Sequence, residues 1–410
     1  MPFDTLFDDV VSLPPPSQGE APEGGPPLRK LLPAGGGVYL LTDAADRIIQ
    51  LASAASFRRT LAARLADRAS EQGDATTASA SRRADLRAVA RKVWLASAFS
   101  AFETNWRYWR IARALYPKRY LKMLGFGPAW FVRADVDQPA PDLVASKIIG
   151  PPGELTLGPL PRRRDAERLI AALQDAFDLC RYHAILQQAP SGQPCAYRDM
   201  GKCPAPCDGS IPMDEYRAML RQAVQFACGD RRATLERWDE QMRAAAGRMD
   251  YERAASFKQR IDRTRTLDQP AFAQMRDLRD LDYLVVQRGS RPTRVRPFFV
   301  RRGIVRPGRE TRLKDLPAHT EDWLREVRND AGEPLAPAAQ KEAVLQEVSE
   351  QIWLVSHFLF KKDAPGLFLR PNECGSAAVL AERVAARFAR PAKDDSDPAP
   401  DAPGHEPKRE

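Results

Sequence analysis

Four of the chain's six cysteines lie within 28 residues, at Cys180, Cys195, Cys203 and Cys207. The segment Cys195-Ala-Tyr-Arg-Asp-Met-Gly-Lys-Cys203-Pro-Ala-Pro-Cys207 is rich in polar residues, Pro and Gly, so it cannot fold around an apolar core of its own. Four soft thiolates on such a loop suit a tetrahedral site for zinc or an iron–sulfur cluster, and spacing alone leaves both open. His183 is a further donor by type, although a single loop histidine is ordinarily solvated. Cys228 and Cys374 stand apart, and six cysteines in 410 residues are too few for a disulfide scaffold.

Charge points to a polyanion. The chain carries 63 Lys and Arg against 54 Asp and Glu, a net charge of +9. Residues 1–30 and 391–410 are each at −3, which leaves +15 on residues 31–390. Nucleic acid is the default partner for such a body, because each phosphate neutralised by Lys or Arg releases counterions. The bland alternative is an Arg-rich composition on solvated helices, and charge does not separate DNA from RNA. No run of about 18 apolar residues could span a bilayer, so no membrane partner is expected. Asp4, Asp8 and Asp9 stand where a signal peptide needs positive charge, which predicts a cytoplasmic protein.

The chain reads as a multidomain α+β protein. Residues 12–28 and 391–410 are rich in Pro, Gly and acid and are expected to be disordered. Val38–Leu41 and Arg47–Leu51 form a hairpin about an Asp43/Asp46 turn, followed by a helix from about Ser56 to Asp67. Residues 69–81 read as a flexible insertion, and a short strand near Val93–Leu95 precedes an aromatic helix from Ser97 to Leu115. Further helices are expected over 163–179 and 213–226, and a helix pair over 232–267 is split near Gly247–Asp250. Strands over 281–286 and 295–305 lead to helices over 338–360 and 376–388. His319 and His357 are isolated, and Trp353, Phe358 and Phe360 read as core.

Three segments together resemble one family. Gly37-Val38-Tyr39, opening a hairpin, is similar to the start of a GIY-YIG nuclease domain. The stretch from Pro194-Cys195-Ala-Tyr197 to Gly201-Lys-Cys203-Pro-Ala-Pro-Cys207, followed by Tyr216, closely resembles the cysteine segment of UvrC, a subunit of the bacterial excision-repair nuclease. Asp250-Tyr251-Glu252-Arg-Ala254-Ala255 is similar to the UVR motif, and Gly158-Pro159 ahead of an amphipathic helix also fits. Order and spacing agree over about residues 31–310, and the chain is identified as a member of the UvrC family.

The resemblance implies a [4Fe-4S] cluster on Cys180, Cys195, Cys203 and Cys207, with zinc as the alternative. It also implies capture of a UvrB-like partner by the hairpin, through Tyr251, Glu252, Ala254, Ala255 and Ile261, and DNA as substrate. In the family's nuclease domain a Glu-bound Mg²⁺ polarises the phosphate while tyrosines move protons and cations neutralise charge. Tyr39 and Glu103 match the first tyrosine and the metal-binding Glu. The rest departs from the pattern: Gln50-Leu51-Ala52 replaces Tyr-Ile/Val-Gly, Ser53 replaces a Lys, and Thr60 replaces the catalytic Arg. Arg58, Arg59 and Arg64 lie nearby as candidate DNA contacts.

Losing one charge-stabilising donor costs about 10²–10³ in rate. The expectation is therefore a UvrC-like excision-repair protein whose nuclease domain persists as a fold and a DNA surface. One alternative is an active nuclease, with Mg²⁺ on Glu103, Arg59 or Arg64 in the vacant role and water in place of the phenol. The other is a non-enzymatic adapter outside excision repair. The expected domains are a disordered tail (1–30), a degenerate GIY-YIG domain (31–120), a linker with the cysteine module (121–212), a helical region with the UVR-like hairpin (213–270), a C-terminal α/β segment (271–390) and an acidic tail (391–410). The 140 residues after position 270 are too few for both the RNase H-like nuclease and the helix-hairpin-helix motifs of the family.

Overall fold

The computed structural model describes residues 3–13, 28–65, 86–229, 231–329 and 341–388. Its first unit runs β1 (Asp9–Ser12), α1 (Leu28–Leu31), β2 (Gly36–Thr42), β3 (Ile48–Ala54), α2 (Phe57–Arg64), α3 (Leu86–Val89), β4 (Lys92–Ala98) and α4 (Ala101–Leu115). The strands form an antiparallel sheet in the order β1-β4-β2-β3. Period-two alternation in β2 sends Tyr39 and Leu41 to the α2 face, and Val38 and Leu40 to the α4 face. Gly37, at φ +144°, lies so close to β4 that a Cβ would stand 2.1 Å from the Ala96 carbonyl oxygen, so only glycine fits there. Ser56 and Ser100 cap α2 and α4 by accepting the backbone N–H three residues on.

The expected hairpin is present, and the short strand extends over Lys92–Ala98. Helix α4 consequently starts at Ala101, later than its aromatic pattern suggested. One correction concerns the N-terminal tail, because residues 3–13 are ordered. Phe3 and Phe7 are buried against Trp94, and β1 pairs with β4. Residues 14–27, which hold most of the Pro, Gly and acid behind that expectation, lie outside the described residues. The flexible insertion at 69–81 and the acidic tail at 391–410 lie outside the described residues.

The second unit comprises β5 (Trp130–Ala134), β6 (Val144–Ser146), β7 (Leu155–Leu160), α5 (Arg163–Phe177), α6 (His183–Leu186), α7 (Ala196–Asp199), α8 (Met213–Cys228), α9 (Arg231–Gly247), α10 (Tyr251–Thr264) and β8 (Arg276–Asp277). Its sheet has the order β6-β5-β7-β8, and α5 and α8 join its core through Leu169, Leu173 and Leu220. The expected linker is thus a folded module. Its boundaries also shift, because α8 shares its core and β8 pairs with β7. Strands of three to six residues are too short to show clear periodicity, which is why the sequence hid them.

The third unit comprises β9 (Tyr283–Arg288), β10 (Arg294–Arg301), β11 (Ile304–Pro307), β12 (Thr311–Arg312), α11 (Leu316–Asn329), α12 (Glu342–Leu359), β13 (Leu367–Leu369) and α13 (Ala377–Phe388). The sheet order is β11-β10-β9-β13, with β12 also on β10. The strand expected over 295–305 is two strands, because Arg302 and Gly303 turn the chain at φ 48° and 83°. Helix α11 was not anticipated. One face of this sheet packs on α11 and α13. The other packs on α12 and on α4 of the first unit, with Phe102 and Phe298 edge to face at 5.0 Å between ring centres. Helix α4 is therefore enclosed between two sheets that are far apart in sequence.

Candidate functional site

That sandwich decides the surroundings of Glu103. Its carboxylate is fully buried near the start of α4 and is ion-paired with Arg296 of β10. Arg107, one turn further along α4, approaches it at 3.6 Å, and the Phe99 backbone N–H donates to its other oxygen at 3.1 Å. Arg107 in turn holds Asp8, beside β1, at 2.8 Å. A metal ligand needs a free, reachable lone pair; here both oxygens are engaged and the side chain is fully buried. Arg107 is one turn from Glu103, so the sequence could have signalled it. Arg296, 193 positions away, left no local signal.

A second buried carboxylate ties the same helix to the C-terminal unit. Glu350 of α12 accepts from Trp109 Nε1 at 2.7 Å, from the Tyr120 hydroxyl at 2.6 Å and from Gln346 Nε2 at 2.6 Å. Burial, then the bond to Glu350, pushes the Tyr120 phenol up to about 12. Arg113 adds an ion pair to Glu347 at 2.7 Å.

Tyr39 lies with the α2 core, whereas α4 belongs to the core on the opposite sheet face. The Tyr39 hydroxyl is buried and has no hydrogen-bond partner among the described residues, and burial raises its pKa. Gln50, in the register of the missing second tyrosine, accepts from Arg64 at 3.1 Å. Arg58 donates to the Leu32 carbonyl at 2.8 Å, and Arg59 is exposed on the same helix. The structure thus brings Arg58, Arg59 and Arg64 together on α2 but does not join Tyr39 to Glu103.

In the cysteine segment, the Cys180, Cys203 and Cys207 side chains converge and are largely buried. Cys180 and Cys203 share a hydrogen bond, which pushes the Cys203 thiol down and the Cys180 thiol up. Burial first, and then Cys203, pushes Cys207 up. The left-handed conformations of Ala205 (φ 57°) and Gly209 (φ 80°) curl the loop around them. The Tyr216 hydroxyl accepts the Cys180 backbone N–H at 3.2 Å, which anchors the segment to α8. Cys195 is half-buried just before α7. His183 faces Asp142 at 3.5 Å instead of the thiols. Among the described residues no three His, Cys, Asp or Glu side chains are arranged to hold a metal ion. Thiols are by type donors for a soft metal, and Cys180, Cys203 and Cys207 are near neighbours.

Helices α9 and α10 form the expected antiparallel hairpin. It packs back onto the second unit through Leu235, Phe257 and Ile261 and is tied by an ion pair between Arg260 and Asp178. Ile261 is therefore an internal contact. Tyr251, Glu252 and Ala255 are exposed and Ala254 is half-buried, beside an exposed Met249 held at φ 60°. No helix among the described residues is long and apolar enough to cross a membrane.

Comparison with known proteins gives this arrangement its class. Residues 131–226, from β5 to late in α8, match the family described as the UvrC/Cho excinuclease middle domain. The chain therefore contains an excinuclease-type middle domain, built on the second sheet and carrying the cysteine segment. Proteins called UvrABC system protein C resemble it over a longer stretch. The one from Streptomyces coelicolor is 28% identical over 224 residues, 52% of this chain and 31% of that protein. Those from Thermus thermophilus and Clostridium beijerinckii are 27% and 24% identical, over 62% and 47% of this chain and 43% and 31% of those proteins. Through this region the chain is similar to the UvrC family. It spans roughly a third to two fifths of the length of these relatives. No solved structure matches it.

Proposed function

We propose that this chain is a nucleotide-excision-repair protein of the UvrC type that binds DNA and a UvrB-like partner without cutting DNA through its N-terminal unit. The observation that carries this reading is the enclosure of Glu103 by Arg296 and Arg107 in a core shared by two units. A half-buried guanidinium neutralises the buried carboxylate where a nuclease would need a divalent cation. The replacement of the second tyrosine by Gln50, which occupies Arg64, agrees with it. DNA binding is supported by the +15 charge of residues 31–390 and the exposed arginines of α2. Partner capture is supported by the exposed Met249 and Tyr251 at the hairpin tip, where apolar side chains gain from being covered. Cys180, Cys195, Cys203 and Cys207 are proposed to hold a [4Fe-4S] cluster, or zinc, in a structural role.

The test is incision of an end-labelled, lesion-containing duplex with Mg²⁺ or Mn²⁺, in the presence and absence of UvrA and UvrB. Retention of the duplex without cleavage is expected. Cleavage by the wild type that disappears in Glu103→Gln would show a live nuclease. Immobilised UvrB should capture the wild type and lose a Met249→Ser, Tyr251→Ala variant, and equal capture of both would remove the hairpin from the proposal.

A further inference from the structure

Trp130 opens β5 and is half-exposed. The strand register sets it against Leu160 at the end of β7, and its neighbour Phe131 against Ser146 at the end of β6. Lys147, just past β6, and Arg162–Arg164, just past β7, consequently reach the same end of the sheet as the indole. The Lys147 Nζ stands 5.3 Å from the Trp130 ring centre and the Arg163 guanidinium 5.8 Å, and both residues are exposed. The run 117–134, which leads into and forms β5, holds four Lys or Arg and no Asp or Glu.

This placement works against the fold's own electrostatics. Three successive arginines lie at the N-terminal end of α5, whose dipole already favours negative charge there. Asp165 answers Arg162, and Glu167 answers Arg163 at 2.8 Å. Lys147 and Arg164 have no acidic partner among the described residues. A half-exposed indole between cations can offer its face to a base while the cations meet flanking phosphates.

We propose that Trp130, Lys147, Arg163 and Arg164 form a contact for single-stranded or locally unpaired DNA, with Trp130 stacking on one base. The assignment rests on the DNA-binding reading and adds a surface separate from the α2 arginines. A base inside an intact duplex has its faces covered by its neighbours, so the indole selects for unpaired bases. The phosphate contacts of Lys147 and Arg164 act on any DNA.

The test uses the full chain and fluorescence anisotropy with labelled oligonucleotides of about 20 nucleotides: a single strand, a duplex, a duplex with an internal bubble, and an RNA of the same sequence. A Lys147→Ala, Arg164→Ala variant changes two exposed side chains and should weaken binding to every DNA. It should also flatten the log–log salt dependence for the single strand by about 1.4. Trp130→Leu should weaken single-strand and bubble binding roughly five- to 150-fold while leaving duplex binding nearly unchanged. DNA binding by the wild type that both variants retain would overturn this site and leave the DNA reading standing. Absence of binding to any DNA would overturn both. Tighter binding of the RNA by tenfold or more would overturn DNA as the ligand. If Trp130→Leu fails to fold by circular dichroism, the double variant decides.

Discussion

Replacing Arg296 by Met leaves the Glu103 carboxylate enclosed without its closest cation. The carboxylate is 0% exposed, so it loses its closest cation while itself out of contact with solvent. Removing one partner of a buried pair typically costs about 3–5 kcal/mol. Here the 3.6 Å contact with Arg107 and the 3.1 Å bond from Phe99 persist, which puts the expected loss near the lower end, about 3 kcal/mol. Glu103→Gln should cost less, about 1–2 kcal/mol, because the amide oxygen still accepts from Phe99 and the Arg296 side chain, 23% exposed, retains some water. The double variant should fall short of the sum by about 2 kcal/mol, the coupling expected of residues in contact. Urea unfolding followed by tryptophan fluorescence reads all three, and the indoles of Trp106 and Trp109 lie on the same helix. An Arg296→Met protein within about 0.5 kcal/mol of wild type would refute the reasoning, because the pair would then not stabilise the fold.

Three further outcomes follow from the same structure. Tyr39→Phe removes a buried hydroxyl without a partner, so urea unfolding should find it as stable as wild type or up to about 1 kcal/mol better; a loss above 1 kcal/mol would mean that the hydroxyl has a partner. Burial beside Phe126 and Phe358, then the charge of Lys361, pushes His357 down from 6.5 to about 4. The unfolded chain takes up this proton first on acidification, so its contribution to stability is full above about pH 6.5, falls between about 6.5 and 4, and levels off below. Thermal midpoints at pH 7 and 5 should lie closer together in His357→Phe, and an unchanged gap would exclude this histidine. Anaerobically purified protein should contain iron and absorb near 400 nm, and Cys203→Ala should lose both; a colourless protein with one equivalent of zinc would reassign the site.

The sequence by itself determined what local pattern and chemistry can carry. The hairpin of β2 and β3, the start of α2 at Ser56, the amphipathic α5 and the break between α9 and α10 all follow from residues within a few positions of one another. The spacing of Cys180, Cys195, Cys203 and Cys207 raised the expectation of a thiolate site, and Cys180, Cys203 and Cys207 are near neighbours in the fold. Tertiary structure alone decided the rest. The strands of the middle sheet are too short to announce themselves, and the pairing of β8 with β7 joins residues about 120 positions apart. The state of Glu103 was decided 193 positions away, by Arg296 on a strand of the C-terminal unit. A carboxylate's chemistry depends on what reaches it in space, and α4 meets β10 only because both sheets bury their apolar faces on that helix.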